Sequence, residues 1–564
     1  MSADRDMASS LDAAIDESSA AADHPLWRRV GWDGLALILF TVVLVLLLAT
    51  FEDYGVTWDE DVHNWYGIAV LNYYLSGFVD LSSLNFADLY NYGAAFDMTA
   101  AGLNKISPFG NYETRHLLNA VVGLLGIVGT WKLGRALGGK RAGFLAALFL
   151  TLTPNYYGQM YNNPKDIPFA AGMAWSLYYV VRLLPQLPRP DWRVVVKLGV
   201  ACGLALAVRV GGLLIFGYVG LALLLFVLWR FAETRRVAVA FADSFACFWR
   251  VLLPVVAVAY PVMLFFWPWA QASPFVNPVK ALIYFSHEIF PFRTLFAGEY
   301  VPASDLPWEY LPTYILLALP ELILLLLLAS PAIGVLGLRR AQEADRARII
   351  GLFVLGFAVV FPVAYAIAIK AVLFDGMRHF IFVLPLIACI AALAADRALV
   401  ALSRVAWRRY VYAALALYGL IHVSVMALLH PDEYVYYNAL IGGTRGAQGL
   451  FKLDYWANSY AEAVQALEDY LHAEYGADFM DQDFTVFACG PPNSAAYYFP
   501  PNFIFTPDRN NAQFIIAFTK DDCDKAVPGK EIFRVERMGT LLSVVLDRRA
   551  ILQHGRRSPA LAGR

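Results

Sequence analysis

Charge is scarce in this chain of 564 residues: Asp, Glu, Lys and Arg together supply 16%, against roughly 25% in an ordinary soluble domain. The little there is balances, 44 Lys and Arg against 46 Asp and Glu, which leaves no basic excess for a nucleic-acid footprint. Glycine follows no period, so a collagen-like rod is excluded, and nothing ahead of the first apolar run has the pattern of a cleavable signal. What is abundant is apolar surface. The residues A, V, I, L, M, F, W, Y and C make up 59% of the chain and aromatic rings 15%, with a mean hydropathy of +0.52. That is more than a soluble core can bury, so a soluble multidomain enzyme and a disordered chain are both excluded. The expected partner is a membrane.

Residues 1–33 read as a disordered cytoplasmic tail of Ser, Ala and Asp without apolar period, and residues 34–429 as a transmembrane domain. The first run, Gly34 to Thr50, follows Arg28 and Arg29, which by the positive-inside rule keep the N-terminus in the cytoplasm. Later apolar runs alternate with cationic and cation-poor loops. The run 198–229 has cationic loops on both sides, so two helices hinged at Arg209-Val-Gly-Gly are expected there. About eleven spans result, with long outer loops at 51–116 and 270–311. An odd number sends residues 430–564 to the outer face as a small α/β domain: Tyr460 to Tyr475 has a helical pattern, and Phe484-Thr-Val-Phe and Phe514-Ile-Ile-Ala-Phe read as strands. Cys489 and Cys523 both fall in this domain, paired or unpaired.

The spans carry almost no acid, so polar chemistry must sit in the loops. Thr57-Trp58-Asp59-Glu60-Asp61-Val62-His63 packs acids against the exit of the first span, and clustering at a low-dielectric boundary is expected to raise the proton affinity of at least one toward the general-base range. Thr57 and Glu60 also fit a capping box for a helix running to Leu75, a role compatible with catalysis. In the second outer loop, Asp166 either caps the next span or meets Asp59 across a polar pocket. Cations are expected to be rare outside, yet Arg115-His116 and Arg378-His379 each open a span at its outer end, where the helix dipole disfavours positive charge. An anion belongs beside them: a phosphate, or a loop carboxylate such as Glu113 or Asp375. Arg209, Lys105 and Lys165 complete the outer cations. A polyprenyl phosphate carrying a sugar satisfies these features together, its phosphate at the interface and its tail in lipid.

Four motifs carry a family resemblance: Trp58-Asp59-Glu60; Pro154 with Asn163-Pro164-Lys165-Asp166; Gly203-Leu-Ala-Leu-Ala-Val-Arg209; and Gly376-Met-Arg378-His379-Phe-Ile-Phe-Val-Leu-Pro385. In order and on the expected sides of the membrane, they resemble the GT-C glycosyltransferases of the protein O-mannosyltransferase and aminoarabinose-transferase type, family 39-like, over roughly residues 34–430. The resemblance implies a catalytic base at Asp59 with Glu60 beside it, a supporting acid at Asp166, a polyprenyl-phosphate sugar donor used with inversion, and no metal requirement. The segment from His430-Pro431-Asp432 to Asp454-Tyr455-Trp456 also looks like a feature of bacterial members, its aromatics best read as an interfacial belt.

The fold class expected is thus a polytopic α-helical membrane protein of GT-C type with a small extracytoplasmic α/β domain. The function expected is an inverting glycosyltransferase in a bacterial inner membrane that moves a sugar from a polyprenyl-phosphate donor to a glycan, lipid or protein hydroxyl. Asp59, Glu60 and Asp166 are its candidate catalytic residues, and Arg115, His116, Lys165, Arg209, Arg378 and His379 its candidate phosphate ligands. No cofactor, metal or nucleic acid is expected. The loop 270–311, with His287, Glu288, Arg293 and Trp308-Glu309-Tyr310, is expected to close over the acceptor. A transporter or flippase is the alternative from another class, though no repeated halves of the usual transporter kind are found; a lipid-linked glycan polymerase or ligase would differ only in acceptor.

Overall fold

The computed structural model describes residues 26–287, 292–340 and 346–557. Of the tail 1–33 expected to be disordered, the residues before Leu26 lie outside the described residues, as does Glu288, whereas residues 26–33 are corrected: they belong to the helix Leu26–Thr50, because Leu26, Trp27 and Val30 extend its apolar run. Among the described residues, eight helices are long and apolar enough to cross a membrane, or nine if the bent pair Tyr310–Ala318 and Glu321–Gly334 (119°) is one span. The sequence leads one to expect about eleven. Two of the expected spans, Lys140–Thr151 and Trp192–Leu206, have only 12 and 15 residues, and at 1.5 Å per residue neither reaches across a roughly 30 Å hydrocarbon core.

The main helices of the chain's first part are α1 (Leu26–Thr50), α2 (Glu60–Leu75), α3 (Asn111–Gly138), α4 (Pro154–Asn162), α5 (Asp166–Leu183), α6 (Trp192–Leu206), α7 (Leu213–Thr234), α8 (Arg346–Ala368), α9 (Leu384–Leu402) and α10 (Arg408–Leu429). The long apolar run breaks after Leu206 and resumes through a 3-10 turn at Val210–Gly212, which leaves Arg209 in extended backbone between two helices. Along α3, small residues let neighbours approach closely. A Cβ on Gly126 would lie 2.1 Å from the Tyr156 hydroxyl, which instead donates to the Gly123 carbonyl at 2.9 Å. Helix α10 stands at the margin, with Leu417 and Leu420 exposed as lipid-facing side chains would be.

The C-terminal domain is a mixed five-stranded sheet in the order β4-β3-β5-β7-β6. Its strands are β3 (Phe484–Ala488), β4 (Phe503–Phe505), β5 (Phe514–Phe518), β6 (Lys530–Arg537) and β7 (Thr540–Asp547), after a separate hairpin of β1 (Arg293–Phe296) and β2 (Glu299–Pro302). β3 pairs in parallel with β4 and β5, and β7 antiparallel with β5 and β6. Helix α11 (Tyr460–Tyr475) presents Ala463, Val464, Leu467 and Leu471, spaced at a helical period, to Phe484, Val486 and Ile516 of the sheet. Cys489 and Cys523 are joined by a disulfide.

The segment from His430 to Ser459 joins the two parts, and here the expectation of an interfacial belt is corrected. Tyr434, Tyr436, Tyr437, Tyr455 and Trp456 are all buried, packed between helices and sheet where no lipid headgroup reaches. Asn458 is the hub. Its Oδ1 accepts from Gly55 N (2.9 Å) and Asn162 Nδ2 (3.0 Å), and its Nδ2 donates to Asp432 Oδ1 (2.7 Å). A Cβ at Gly55 would fall 2.2 Å from the Asn458 carbonyl oxygen, so only glycine permits the approach that sets Trp58 and Asp59 in place.

Candidate active site

A cavity of about 980 Å³ lies between the helical part and the sheet domain. Asp59, Lys165, Arg209, Arg378 and His379 all line it, brought from segments far apart in the chain. Asp59 stands at the N-cap of α2 but caps nothing with its side chain; its Oδ2 accepts from Arg378 Nη2 at 2.7 Å. Arg378 begins the 3-10 turn before α9, its guanidinium 5.0 and 5.3 Å from the ring centres of Trp456 and Phe374. The Asp375-Gly376 turn, both residues at positive φ (54° and 71°), aims it. Gly376 N–H donates to the Tyr310 hydroxyl, and a Cβ there would crowd the Tyr314 ring at 3.2 Å. Lys165 makes no ion pair among the described residues and rests 4.4 Å from the centre of the Tyr92 ring.

At Asp59 the expected rise in proton affinity is reversed. Burial pushes the Asp59 carboxyl up, but Arg378 and Lys165 outweigh it and hold it well below the ordinary carboxylate range. The reason is helical geometry: consecutive residues diverge by about 100°, so the acids face different partners. Glu60 turns away from the cavity and accepts from Thr57 N (2.8 Å), Thr57 Oγ1 (3.0 Å) and His116; Asp61 accepts from Tyr112. Lys165 is pushed down to about 8, chiefly by burial, with Arg209 and Arg378 adding to it against the pull of Asp59.

The other expected site residues are placed differently. Asp166 is buried behind the cavity wall; it holds Arg209 Nη2 at 2.5 Å and closes a ring with Asn163, whose Nδ2 donates to Asp166 Oδ2 while Asn163 Oδ1 accepts from Asp166 N, both at 2.9 Å. Arg115 and His116 do not line the cavity. Arg115 and His116, in the second turn of α3, are buried among neighbouring elements, where Arg115 pairs with Asp97 (2.7 Å) and His116 with Glu60 (3.1 Å). Asp97 takes His63 Nδ1 on its other oxygen at 2.7 Å. Burial keeps His63 below its ordinary value although Asp97 pulls it up. Of the loop expected to close over the acceptor, Arg293 lines the cavity, Tyr310 is buried under Gly376, and Trp308 is exposed; the side chain of His287 lies outside the described residues.

Among the residues at or behind the cavity wall whose place the sequence does not signal are Trp456, Lys520 and Asp97. Trp456, in the wall, lies in the segment read as a belt; Lys520, also in the wall, is an unremarked lysine in the sheet domain. Asp97, behind it, is one acid in a polar loop. Asp375, also in the wall, is signalled in the sequence as a carboxylate neighbour of Arg378. Among the described residues no group of three or more His, Cys, Asp and Glu side chains is arranged to hold a metal ion.

A family model described as dolichyl-phosphate-mannose-protein mannosyltransferase matches residues 98–265, the stretch that carries Lys165, Asp166 and Arg209. No curated protein matches the chain. Among solved structures it is similar to ArnT from Cupriavidus metallidurans in the apo state (16% identity, TM-score 0.47, 92% of this chain and 98% of that one). It is also similar to the same protein bound to undecaprenyl phosphate (15%, 0.45, 90% and 97%), and to the archaeal oligosaccharyltransferase AglB from Archaeoglobus fulgidus in complex with an inhibitory peptide and a dolichol-phosphate (13%, 0.41, 85% and 69%). The protein is a multi-pass helical membrane protein, and the family match agrees with the GT-C glycosyltransferase resemblance of its motifs.

Proposed function

We propose that the protein is an inverting glycosyltransferase that moves a sugar from a polyprenyl-phosphate donor to a hydroxyl acceptor, at the outer face of a bacterial inner membrane. The observation that carries this reading is the convergence of Lys165, Arg209, Arg378 and His379 around one carboxylate, Asp59, in a single cavity. Among the described residues, Arg209 Nε, Arg378 Nε and His379 Nδ1 are buried without hydrogen-bond partners, and buried guanidinium donors of that kind call for an anionic acceptor. A lipid-borne donor fits the apolar part of the wall, Phe169, Leu214 and Phe382. It also fits the stacked rings Phe353, Phe357, Phe361 and Tyr365 on α8, a ladder that ends one turn before Ile369 in the cavity wall.

In this reading the acceptor oxygen attacks the anomeric carbon, the bond from that carbon to the phosphate oxygen breaks, and the acceptor proton passes to Asp59. The leaving polyprenyl phosphate gains a negative charge, which Lys165, Arg209 and Arg378 stabilise. A seated donor phosphate takes up part of the positive charge of Arg378 and Lys165, so the base gains proton affinity while Arg378 stays in contact with it and keeps it oriented. Asp166 supports the reaction by fixing Arg209, whereas Glu60, Arg115 and His116 act from behind the wall. Incubating the purified protein with polyprenyl-phosphate sugars and a hydroxyl-bearing envelope extract tests the reading by mass spectrometry. Release of polyprenyl phosphate by the parent protein and none by Asp59→Asn is expected; a donor left chemically intact would identify a carrier, and full activity of Asp59→Asn would reject the base.

A further inference from the structure

The sheet domain reaches the cavity through one braced turn. At the end of β5, Phe518 lies against Trp58 (ring centroids 6.2 Å apart), and Thr519 N–H donates to the Leu542 carbonyl at 3.1 Å. In the turn that follows, Asp521 pairs with Lys452 at 2.8 Å, and Cys523 is bonded to Cys489, next to the end of β3. Lys520 is thereby fixed. Its ammonium sits 4.6 Å from the centre of the Trp58 ring, donates to the Tyr455 carbonyl at 3.3 Å and lies 3.5 Å from Asp375 Oδ1. The other oxygen of Asp375 is 3.5 Å from Arg378 Nη1, and Arg378 Nη2 is 2.7 Å from Asp59.

These four side chains form a line of alternating charge from the sheet domain to the carboxylate read above as the base. Asp375 and Arg378 are both buried, and a buried charge is stable only when it is paired. Arg378 carries one positive charge for two carboxylates. Lys520 supplies the second and makes the set neutral. Without it, the only cation paired with Asp375 among the described residues is the guanidinium that also holds Asp59. Lys165 adds its field at Asp59 but makes no ion pair there, so Asp375 pulls on Arg378 in a medium that screens the contest poorly.

We propose that Lys520, contributed by the sheet domain, is a positioning residue for the transfer centre: by neutralising Asp375 it leaves Arg378 seated on Asp59. The proposal rests on the reading of Asp59 as base. It makes the sheet domain part of the active site.

The test compares Lys520→Met, Lys520→Arg, Asp375→Asn and the double variant Lys520→Met with Asp375→Asn; Lys525→Met, an exposed lysine in the same turn, is the control. Lys520→Met is expected to lower kcat about tenfold with donor KM within about twofold, at the unfolding temperature of the control, and Lys520→Arg to restore most of the loss. The double variant is expected to be no slower than Asp375→Asn, because a neutral amide in place of the Asp375 carboxylate leaves Lys520 nothing to neutralise. Unchanged kcat in Lys520→Met, losses that multiply in the double variant, or a loss that tracks the unfolding temperature would overturn the proposal. A second measurement needs no turnover: acylation of lysine amines followed by peptide mass spectrometry. Asp375→Asn is expected to speed labelling of Lys520 several-fold and leave Lys525 unchanged; equal rates at Lys520 would overturn the pairing. A parent protein that transfers no sugar rejects the functional reading, and the labelling rates separate that failure from a failure of the pairing.

Discussion

Lys165 gives the most direct probe of the cavity, because its charge is expected to change within the range of ordinary buffers. With the ammonium pushed down to about 8, about nine-tenths of it is charged at pH 7 and about one-tenth at pH 9, whereas an unperturbed lysine would stay charged throughout. The phosphodiester of a polyprenyl-phosphate sugar keeps its single negative charge across this interval, so a change in donor binding belongs to the protein. If the donor requires the ammonium, its KM rises about tenfold from pH 7 to pH 9, a loss of about 1.4 kcal/mol. Lys165→Arg keeps its charge and is expected to flatten the profile. The assay is initial rate against donor concentration at each pH, with the unfolding temperature recorded alongside. A flat profile in the parent protein, or the same rise in Lys165→Arg, would refute the placement of the donor phosphate beside Lys165.

Asp97→Asn removes the carboxylate that pairs with both Arg115 and His63. It leaves a buried guanidinium unpaired and is expected to cost about 3–5 kcal/mol of stability, read as a clear drop in unfolding temperature; an unchanged value would contradict the pairing. Gly490→Ala places a Cβ 2.6 Å from the Trp58 ring at φ +86°, whereas Gly539→Ala, at φ +74°, meets open space. Both carry the backbone cost of about 1–3 kcal/mol, but only Gly490→Ala is expected to slow turnover, by displacing Trp58 from the cavity wall, and equal kcat in the two would count against that wall. Burial pulls His430 down, but Glu433 and Asp53, each at 2.9 Å, raise it to about 9. A raised histidine contributes stability that is fully present below its ordinary value near 6.5 and is lost as pH climbs through about 9, so melting curves are expected to fall over that window in the parent protein and less so in His430→Gln.

Much of the framework was legible in the sequence. Apolar runs marked most of the spans, Gly211 and Gly212 marked the break beside Arg209, and a 3.6-residue period marked Tyr460 to Tyr475. Each of these depends on residues within a turn or two, and backbone hydrogen bonding converts such patterns into structure with little reference to the rest of the chain. Charges at the ends of apolar runs were legible too, which is why Asp59, Lys165, Arg209, Arg378 and His379 stood out before their convergence was visible. Their partners were not. Arg115 and Arg378 have the same sequence signature, yet one is sealed against Asp97 and the other opens onto the cavity. The low proton affinity of Asp59, the burial of the Tyr434 to Trp456 segment and the arrival of Lys520 from the sheet domain were decided by tertiary structure alone. Charge pairing and desolvation depend on what stands a few ångströms away in space, and in this molecule such neighbours lie 18 residues apart in the chain for Arg115 and Asp97 and 319 apart for Arg378 and Asp59.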